Sequence, residues 1–349
     1  MLRYYTRACN FYYGEDSKKL VKQKKTLPLN GRKDISFDQI EIITRKSKKK
    51  VSIKKIDQLP IKLKIKIKED LIIITKKIKN FLSLDFNLPI NLMGVLNVTP
   101  DSFSDGGKYI KTHLALKHLS KLFQDGANLV DIGGESTRPG SKTIDSKIEW
   151  GRIKRILKKV DKKKVISVDT RKSEIMEKSL SLGVKIINDV SGLNYDKKTL
   201  NVLKKYKVPF VLQHSLGSPA TMQNKPKYKN VLLDIYDFFK DKIEFLKKNG
   251  INQDKIILDP GIGFGKNLKH NLKILRNISI YHSLGSPILL GVSRKRFIGD
   301  LSNNNDSFER IGGTIGSCIF LMMQGVQILR VHDINEIQQS IKVFKELIK

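Results

Sequence analysis

The sequence contains little cysteine and no long apolar segment. Only two cysteines, Cys9 and Cys318, occur among 349 residues. Two distant thiols do not form the disulfide framework of a small secreted domain, so we expect a cytoplasmic protein in a reducing compartment. No apolar run approaches the roughly 20 residues that a helix needs to cross a bilayer. These absences exclude a disulfide-stabilised scaffold and predict no role for a membrane.

The N-terminus lacks the apolar core of a secretory signal. The segment 1–9 contains Arg3 and Arg7, and no acidic residue occurs before Glu15. This composition leaves an organelle transit peptide as an alternative to a cytoplasmic N-terminus.

Acidic residues are few relative to basic ones, and the formal net charge is +33. The excess is spread along the chain, since residues 1–91 contain 23 Lys and Arg against 9 Asp and Glu. No interleaving of Arg with aromatic residues is present. A diffuse excess does not indicate a specific nucleic-acid site. We therefore expect no nucleic-acid partner, and a basic nucleic-acid-binding protein on a relic barrel remains an alternative.

Residues 1–87 differ from the rest of the chain. The segment 61–67 alternates Ile or Leu with Lys, which predicts a half-buried strand. Leu71, Ile74, Ile78 and Phe81 then follow helical spacing. We expect a small α+β extension of unknown role over 1–87, followed by a catalytic domain over 88–349.

From Leu92 onward, short apolar runs alternate with amphipathic, helix-like segments. Near-continuous apolar strands that alternate with helices predict a parallel sheet covered on both faces. Eight such units in about 260 residues favour a (β/α)8 barrel. The predicted strands are 92–96, 129–132, 165–168, 185–187, 210–212, 256–258, 288–292 and 328–331.

Every predicted strand ends in polar residues. In a (β/α)8 barrel all strand C-termini lie on one face, which carries the active site. Helix capping explains one or two such residues but not all eight. The polar ends are Asn97, Asp131 with Glu135, Asp169, Asn188 with Asp189, Gln213 with His214, Asp259, Ser293 to Lys295, and Arg330 with His332.

Three groups of these residues suggest specific ligands. Arg330 and His332, two apart on one strand, predict an anion site, although a salt-bridged strand end is an alternative. Asp169 and Asp259, which have no Lys or Arg beside them, predict with the amide of Asn188 a partner for the N–H edge of an amino-heterocycle. Asn97 offers the hard oxygen that suits Mg²⁺.

Three glycine-containing loops follow these strands. The loop 133–140 combines glycines, hydroxyls and Arg138, and the loop 259–266 contains three glycines after Asp259. No acidic residue ends a following strand, so the second loop is not a dinucleotide fingerprint. We interpret it as a tight turn that exposes Asp259. The third loop, 97–107, contains Gly106 and Gly107.

Residues 91–349 resemble the dihydropteroate synthase family. Seven motifs in order carry the resemblance: Met93 to Gly107, Asp131 to Ser141, Ser167 to Thr170, Ile187 to Val190, Asp259 to Lys266, Gly291 to Lys295, and Arg330 to Asp333. The resemblance implies a TIM barrel and a transferase of folate biosynthesis. The implied reaction condenses 6-hydroxymethyl-7,8-dihydropterin diphosphate with p-aminobenzoate to give 7,8-dihydropteroate and diphosphate.

The resemblance also implies roles for individual residues. Asp169, Asn188 and Asp259 would hold the pterin edge, with Lys295 against the pterin. Thr137, Arg330 and His332 would bind the diphosphate, and Asn97 would bind Mg²⁺. Lys295, Arg330 and His332 are the candidate catalytic residues. The p-aminobenzoate pocket would be shaped by Phe103, Arg138, Pro139 and Phe264, with the first two loops closing as a lid.

Two further expectations follow from the resemblance. A homodimer is implied through the C-terminal helices, where 311–323 is apolar with small residues; helix-to-barrel packing is the alternative. The competing function is a pterin-binding corrinoid methyltransferase of the same superfamily, which would not need a diphosphate site. Arg296 occupies a position where many members have Ser, so contacts to the p-aminobenzoate carboxylate are open.

Overall fold

The computed structural model describes residues 3–99, 108–136, 140–217, 221–222 and 226–348. Its larger part is an eight-stranded parallel sheet closed into a barrel. The strands are Asn91–Asn97 (β5), Leu129–Gly133 (β6), Ile166–Asp169 (β7), Ile186–Asp189 (β8), Phe210–Gln213 (β9), Ile256–Asp259 (β10), Leu289–Gly291 (β11) and Ile328–Val331 (β12).

The strands neighbour one another in chain order, and β12 pairs with β5. A single parallel bridge between Leu258 and Ile288 joins β10 to β11. The predicted (β/α)8 barrel is therefore confirmed. Each strand ends within two residues of its prediction, because buried apolar runs bounded by polar residues mark both ends of a parallel strand.

Helices cover the outside of the barrel. The longest of them, Val231–Lys248, has apolar residues at helical spacing along its whole length. The helices are Lys108–Gln124 (α3), Ser146–Lys159 (α4), Ser173–Ser181 (α5), Thr199–Tyr206 (α6), Val231–Lys248 (α7), Leu268–Arg276 (α8), Arg296–Ser302 (α9), Ile311–Met323 (α10) and Ile334–Leu347 (α11).

The N-terminal extension is a small α+β unit, as predicted. Strand β3 pairs antiparallel with β1 on one side and with β2 and β4 on the other. Helices α1 and α2 flank this sheet. The elements are Tyr5–Tyr13 (β1), Gly14–Lys22 (α1), Leu27–Leu29 (β2), Arg32–Ile43 (β3), Lys48–Ser52 (β4) and Ile61–Thr75 (α2).

The prediction of a strand over 61–67 is wrong, since this segment begins α2. Ile67, Asp70 and Ile74 are its buried residues, and their spacing is helical. Ile61 and Ile65 stay exposed, so the alternation with Lys does not mark a buried face. The predicted helix through Ile78 and Phe81 is also wrong, because α2 ends at Thr75.

The floor of the barrel, at the N-terminal ends of the strands, is apolar. Leu84 and Phe86 are buried there and form one apolar cluster with eight further side chains, one in or next to each strand. These eight are Met93, Leu129, Val165, Ile186, Val211, Ile257, Leu289 and Ile328. The domain boundary after residue 87 stays a prediction, but Leu84 and Phe86 contribute to the barrel core.

The extension contacts the barrel through specific polar pairs. Arg45 forms ion pairs of 2.7 Å with both Asp234 and Asp237 of α7. Ser279 donates a hydrogen bond to the Ala8 carbonyl. The extension therefore packs on α7 and on the helical turn 278–284. Within the described part of the chain, no helix is both long and apolar enough to span a bilayer.

Candidate functional site

A cavity that opens to solvent lies at the C-terminal ends of the barrel strands. Its lining comes from six strands and the loops that follow them. The lining residues are Asp169, Asn188, Val190, Gln213, Asp259, Ile262, Phe264, Gly291, Lys295 and Arg330. Six predicted site residues thus meet at one place: Asp169, Asn188, Asp259, Phe264, Lys295 and Arg330.

Arg330 binds two carboxylates across the cavity. Its Nε donates to Asp131 Oδ2 at 2.7 Å, and its Nη2 donates to Asp169 Oδ2 at 3.2 Å. The expectation that Asp169 has no cationic neighbour is therefore wrong. The residues are 161 positions apart, so no local pattern marks this ion pair. The arrangement orients Arg330 while 20% of its side chain stays exposed.

Burial and the nearby Asp131 carboxylate raise the pKa of Asp169, although Arg330 opposes the shift. Two carboxylates thus share one guanidinium. Asn188 Nδ2 donates to Asp131 Oδ2 at 2.9 Å. One oxygen of each of these three residues is buried without a hydrogen-bond partner among the described residues: Asp131 Oδ1, Asp169 Oδ1 and Asn188 Oδ1. Such acceptors favour a ligand with N–H donors or a cation.

Asp259 is 5% exposed, so the expectation that the glycine turn exposes it is wrong. Its Oδ1 accepts the Gly261 N–H at 2.7 Å, which folds the turn back over the carboxylate. Burial raises the pKa of Asp259 to about 6. Gly261 has φ +68°, and a Cβ there would lie 2.1 Å from the His214 carbonyl oxygen, so only glycine fits.

Lys295 and Phe264 meet on one side of the cavity. The Lys295 Nζ lies 4.5 Å from the centre of the Phe264 ring, a cation–π contact. Arg294 has φ +58° and is ion-paired with Asp333, which directs Lys295 toward the cavity side of the loop.

His332 is held by Ser293. The Ser293 Oγ accepts the His332 backbone N–H at 3.3 Å and lies 3.0 Å from Nδ1. The tautomer of the ring decides which of the two atoms donates in the second contact, and in both cases Ser293 fixes the orientation of the imidazole. Burial and the Arg330 charge lower the pKa of His332 to about 3, so the imidazole is neutral.

Asn97 ends β5 beside these acidic residues. Its Oδ1 lies 3.6 Å from the point that a Cβ on Gly133 would occupy, and Asp169 Cβ is equally close to that point. The described residues contain no cluster of three His, Cys, Asp or Glu side chains fit for a metal. Hard oxygens of Asn97, Asp131 and Asp169 nevertheless suit an ion that keeps water or phosphate ligands.

Four predicted site residues lie outside the described residues: Phe103, Thr137, Arg138 and Pro139. So does most of the predicted first lid loop. The stems of the second loop are described and tightly held. Glu135 accepts Arg171 Nε at 3.0 Å and the Ile144 backbone N–H at 2.9 Å, which ties the two stems together.

Asp131 and Gln213 are site residues that the sequence analysis did not assign. Both were recognised as polar strand ends. Asp131 is fully buried and contacts Arg330 and Asn188. The available signal was its position two residues before Gly133, since alternate residues of a barrel strand point inward.

Residues 93–332 match the family described as pterin binding enzyme. The chain is 40% identical over 263 residues to the dihydropteroate synthase of Escherichia coli, which covers 75% of this chain and 92% of that protein. The Yersinia pestis dihydropteroate synthase, solved with a sulfonamide drug complex, superposes with a TM-score of 0.70 at 38% identity, covering 76% of this chain and 96% of that one. The Xanthomonas albilineans enzyme in complex with 7,8-dihydropteroate gives a TM-score of 0.68 at 30% identity, covering 76% and 95%.

Proposed function

The chain belongs to the pterin-binding enzyme family as a dihydropteroate synthase, a transferase of folate biosynthesis, and we propose which of its residues perform each part of the reaction. The substrates are 6-hydroxymethyl-7,8-dihydropterin diphosphate and p-aminobenzoate. One observation carries the proposal: buried acceptors without partners adjoin a cationic site in a single cavity at the barrel mouth.

The pterin ring binds on the acceptor side. Asp259 as a carboxylate accepts two parallel N–H bonds from the amino-pyrimidine edge. Asn188 Oδ1 and Asp169 Oδ1 accept or share further ring protons, which satisfies atoms that are otherwise buried without partners. Lys295 lies along the opposite wall and packs against the pterin.

The diphosphate binds on the cationic side. Arg330 and His332 stand on either side of Val331 at the end of β12, and Val331 packs in the main apolar core, so the two polar side chains face the opposite side, toward the barrel mouth. Arg330 supplies its charge, and the neutral His332 donates a hydrogen bond in the tautomer that carries the ring proton on Nε2. Thr137 adds a hydroxyl donor. An arriving anion favours the imidazolium form, so diphosphate binding raises the pKa of His332.

Asn97 would hold Mg²⁺ at the end of β5. When bound, the ion supplies positive charge that stabilises the departing diphosphate. The hard oxygens beside Asn97 fit such an ion, as described above.

The second substrate binds over the pterin. Phe264, together with Phe103, Arg138 and Pro139, shapes the p-aminobenzoate pocket, and the first two loops close over it. The C–O bond to diphosphate breaks, and the arylamine nitrogen forms the new C–N bond and releases its proton. Arg330, His332 and Lys295 stabilise the leaving charge, and closure excludes water that would compete with the amine.

The chain forms a homodimer through α10 in this proposal. Gly312, Gly316 and Phe320 lie four residues apart on its exposed face, and Phe320 is 41% exposed. A Cβ added to Gly312 or Gly316 would meet nothing within 4 Å. A cytoplasmic location is supported by Cys9 and Cys318, which are buried free thiols.

A coupled assay of the purified protein tests the proposal. Both substrates and Mg²⁺ should yield dihydropteroate and one diphosphate per turnover. Asn97→Ala should raise the Mg²⁺ concentration for half-maximal rate about tenfold, which corresponds to one lost ligand interaction of about 1.4 kcal/mol. An unchanged Mg²⁺ requirement contradicts the role of Asn97. Turnover without diphosphate release contradicts the reaction and favours methyl transfer.

A further inference from the structure

Lys266 is a buried lysine that none of the roles above uses. It ends the loop between β10 and α8 and is 2% exposed. Its Nζ lies 2.8 Å from the Phe264 carbonyl oxygen, 3.3 Å from the His214 carbonyl oxygen and 3.1 Å from His214 Nδ1. An ammonium has three N–H donors, so each finds an acceptor.

These contacts join two loops at the barrel mouth. Phe264 belongs to the loop after β10, and His214 follows β9. The two backbones lie close together, because a Cβ on Gly265 would lie 2.8 Å from the Leu216 carbonyl oxygen. Tyr228 also donates to the Gly265 carbonyl at 2.9 Å. Lys266 thus fixes the position of the β10–α8 loop relative to the β9–α7 loop.

The part of the β10–α8 loop that Lys266 holds borders the cavity. The Phe264 backbone accepts the Lys266 hydrogen bond, while its ring faces Lys295 at 4.5 Å. A shift of this carbonyl would therefore move the ring against which p-aminobenzoate is proposed to bind. Asp259, at the other end of the loop, is fixed separately by the Gly261 N–H.

We propose that Lys266 is a positioning residue for the second substrate, and that its amine holds the Phe264 ring in place for p-aminobenzoate. The proposal rests on the proposed function, in which Phe264 shapes that pocket. It assigns Lys266 no contact with either substrate.

The environment supports a specific use of this amine. Burial lowers the pKa of Lys266 to about 7, although Asp259 opposes the shift. Burial of an amine costs free energy because its hydration is lost, unless hydrogen bonds within the protein replace that hydration. The imidazole of His214 is also buried, and burial together with the Lys266 charge lowers its pKa. His214 therefore stays neutral and its Nδ1 serves as an acceptor.

The test compares Lys266→Met with the wild type. Methionine keeps the length and apolar stem but removes all three donors. We expect the p-aminobenzoate KM to rise about tenfold, because the hydrogen bonds that position the Phe264 backbone are lost. The Kd for pterin diphosphate should change less than about threefold, since the Asp259 contact is retained. Lys269→Met, an exposed lysine three residues along, is the matched control and should change neither value.

Lys266→Gln provides a graded second variant, because its amide still donates to one carbonyl. Its p-aminobenzoate KM should fall between those of the wild type and the Met variant. Equal losses for both substrates, or an unchanged p-aminobenzoate KM, overturn the proposal. If the Met variant does not fold, the Gln variant decides; unfolding of both assigns Lys266 to general stability and also overturns it. Absence of wild-type turnover would instead refute the proposed function.

Discussion

The two ends of the barrel use the same eight strands for opposite purposes. At the floor, eight apolar side chains form one cluster with Leu84 and Phe86, without a polar group among them. At the mouth, buried carboxylates, an amide and a guanidinium face a cavity, and several of their oxygens have no partner among the described residues. Burial of the apolar side chains at the floor stabilises the fold. The buried oxygens without partners at the mouth reduce the stability of the fold, but they are available to bind a ligand.

This division explains why function is concentrated at one end. Strand alternation is the same at both ends, so the difference lies in which residues occupy the inward positions. Substitutions at the floor should change stability and leave kinetics alone. Substitutions at the mouth should do the reverse.

The largest effect is expected at the floor. Phe86→Ala should lower the free energy of unfolding by about 3–5 kcal/mol, because it empties a filled apolar layer. Denaturant unfolding measures the loss, and KM values of the folded variant should stay unchanged. Leu88→Ala, whose side chain is 43% exposed, is the control and should cost far less. Similar losses in both variants would show that burial of Phe86 does not stabilise the barrel floor.

At the mouth, Asp259→Asn should weaken pterin binding by about 1.5–3 kcal/mol, because it removes a charged acceptor. The amide oxygen can still accept the Gly261 N–H, so thermal stability should be preserved. Calorimetry with the pterin substrate provides the measurement. Asp241→Asn, at an exposed position of α7, serves as the control. Unchanged affinity in Asp259→Asn would remove Asp259 from the pterin site.

The affinity for the pterin substrate should depend on pH through the ionisation of Asp259. Burial raises the pKa of Asp259 to about 6, and only its ionised form accepts two N–H bonds. Affinity should therefore be full above about pH 7 and fall about tenfold per pH unit below 6. Titrations between pH 5 and 8 measure the profile. The decline should be absent in Asp259→Asn, and a decline of equal slope there would implicate another group.

The smallest effect is expected when the extension is shortened without touching the floor. Removal of residues 1–76 keeps Leu84 and Phe86, and no residue of 3–87 lines the described cavity. The kcat and both KM values should stay within about twofold, as for distant, independent sites. Removal of residues 1–87 also removes Leu84 and Phe86, and should lower the free energy of unfolding much further. Equal stability of the two truncated proteins would contradict the role of Leu84 and Phe86 in the barrel core.

The α2 segment shows where local patterns fail. Alternation of Ile and Lys over 61–67 fits a strand, yet the chain forms a helix there. Burial of Ile67 and Ile74 against the extension sheet decides the outcome, since tertiary packing overrides local propensity. The strands of the barrel were predictable because a fully buried strand shows its period and its length without reference to a partner.

The sequence by itself determined the barrel, its eight strand ends and the motifs of the synthase family, because each depends on a short run of neighbouring residues. Only the tertiary structure decided that Arg330 pairs with Asp131 and Asp169, that Asp259 is covered by its own turn, and that Lys266 joins two loops. The first of these contacts spans 199 residues. Such pairings depend on the closure of the barrel, which brings distant strand ends together and which no local spacing records.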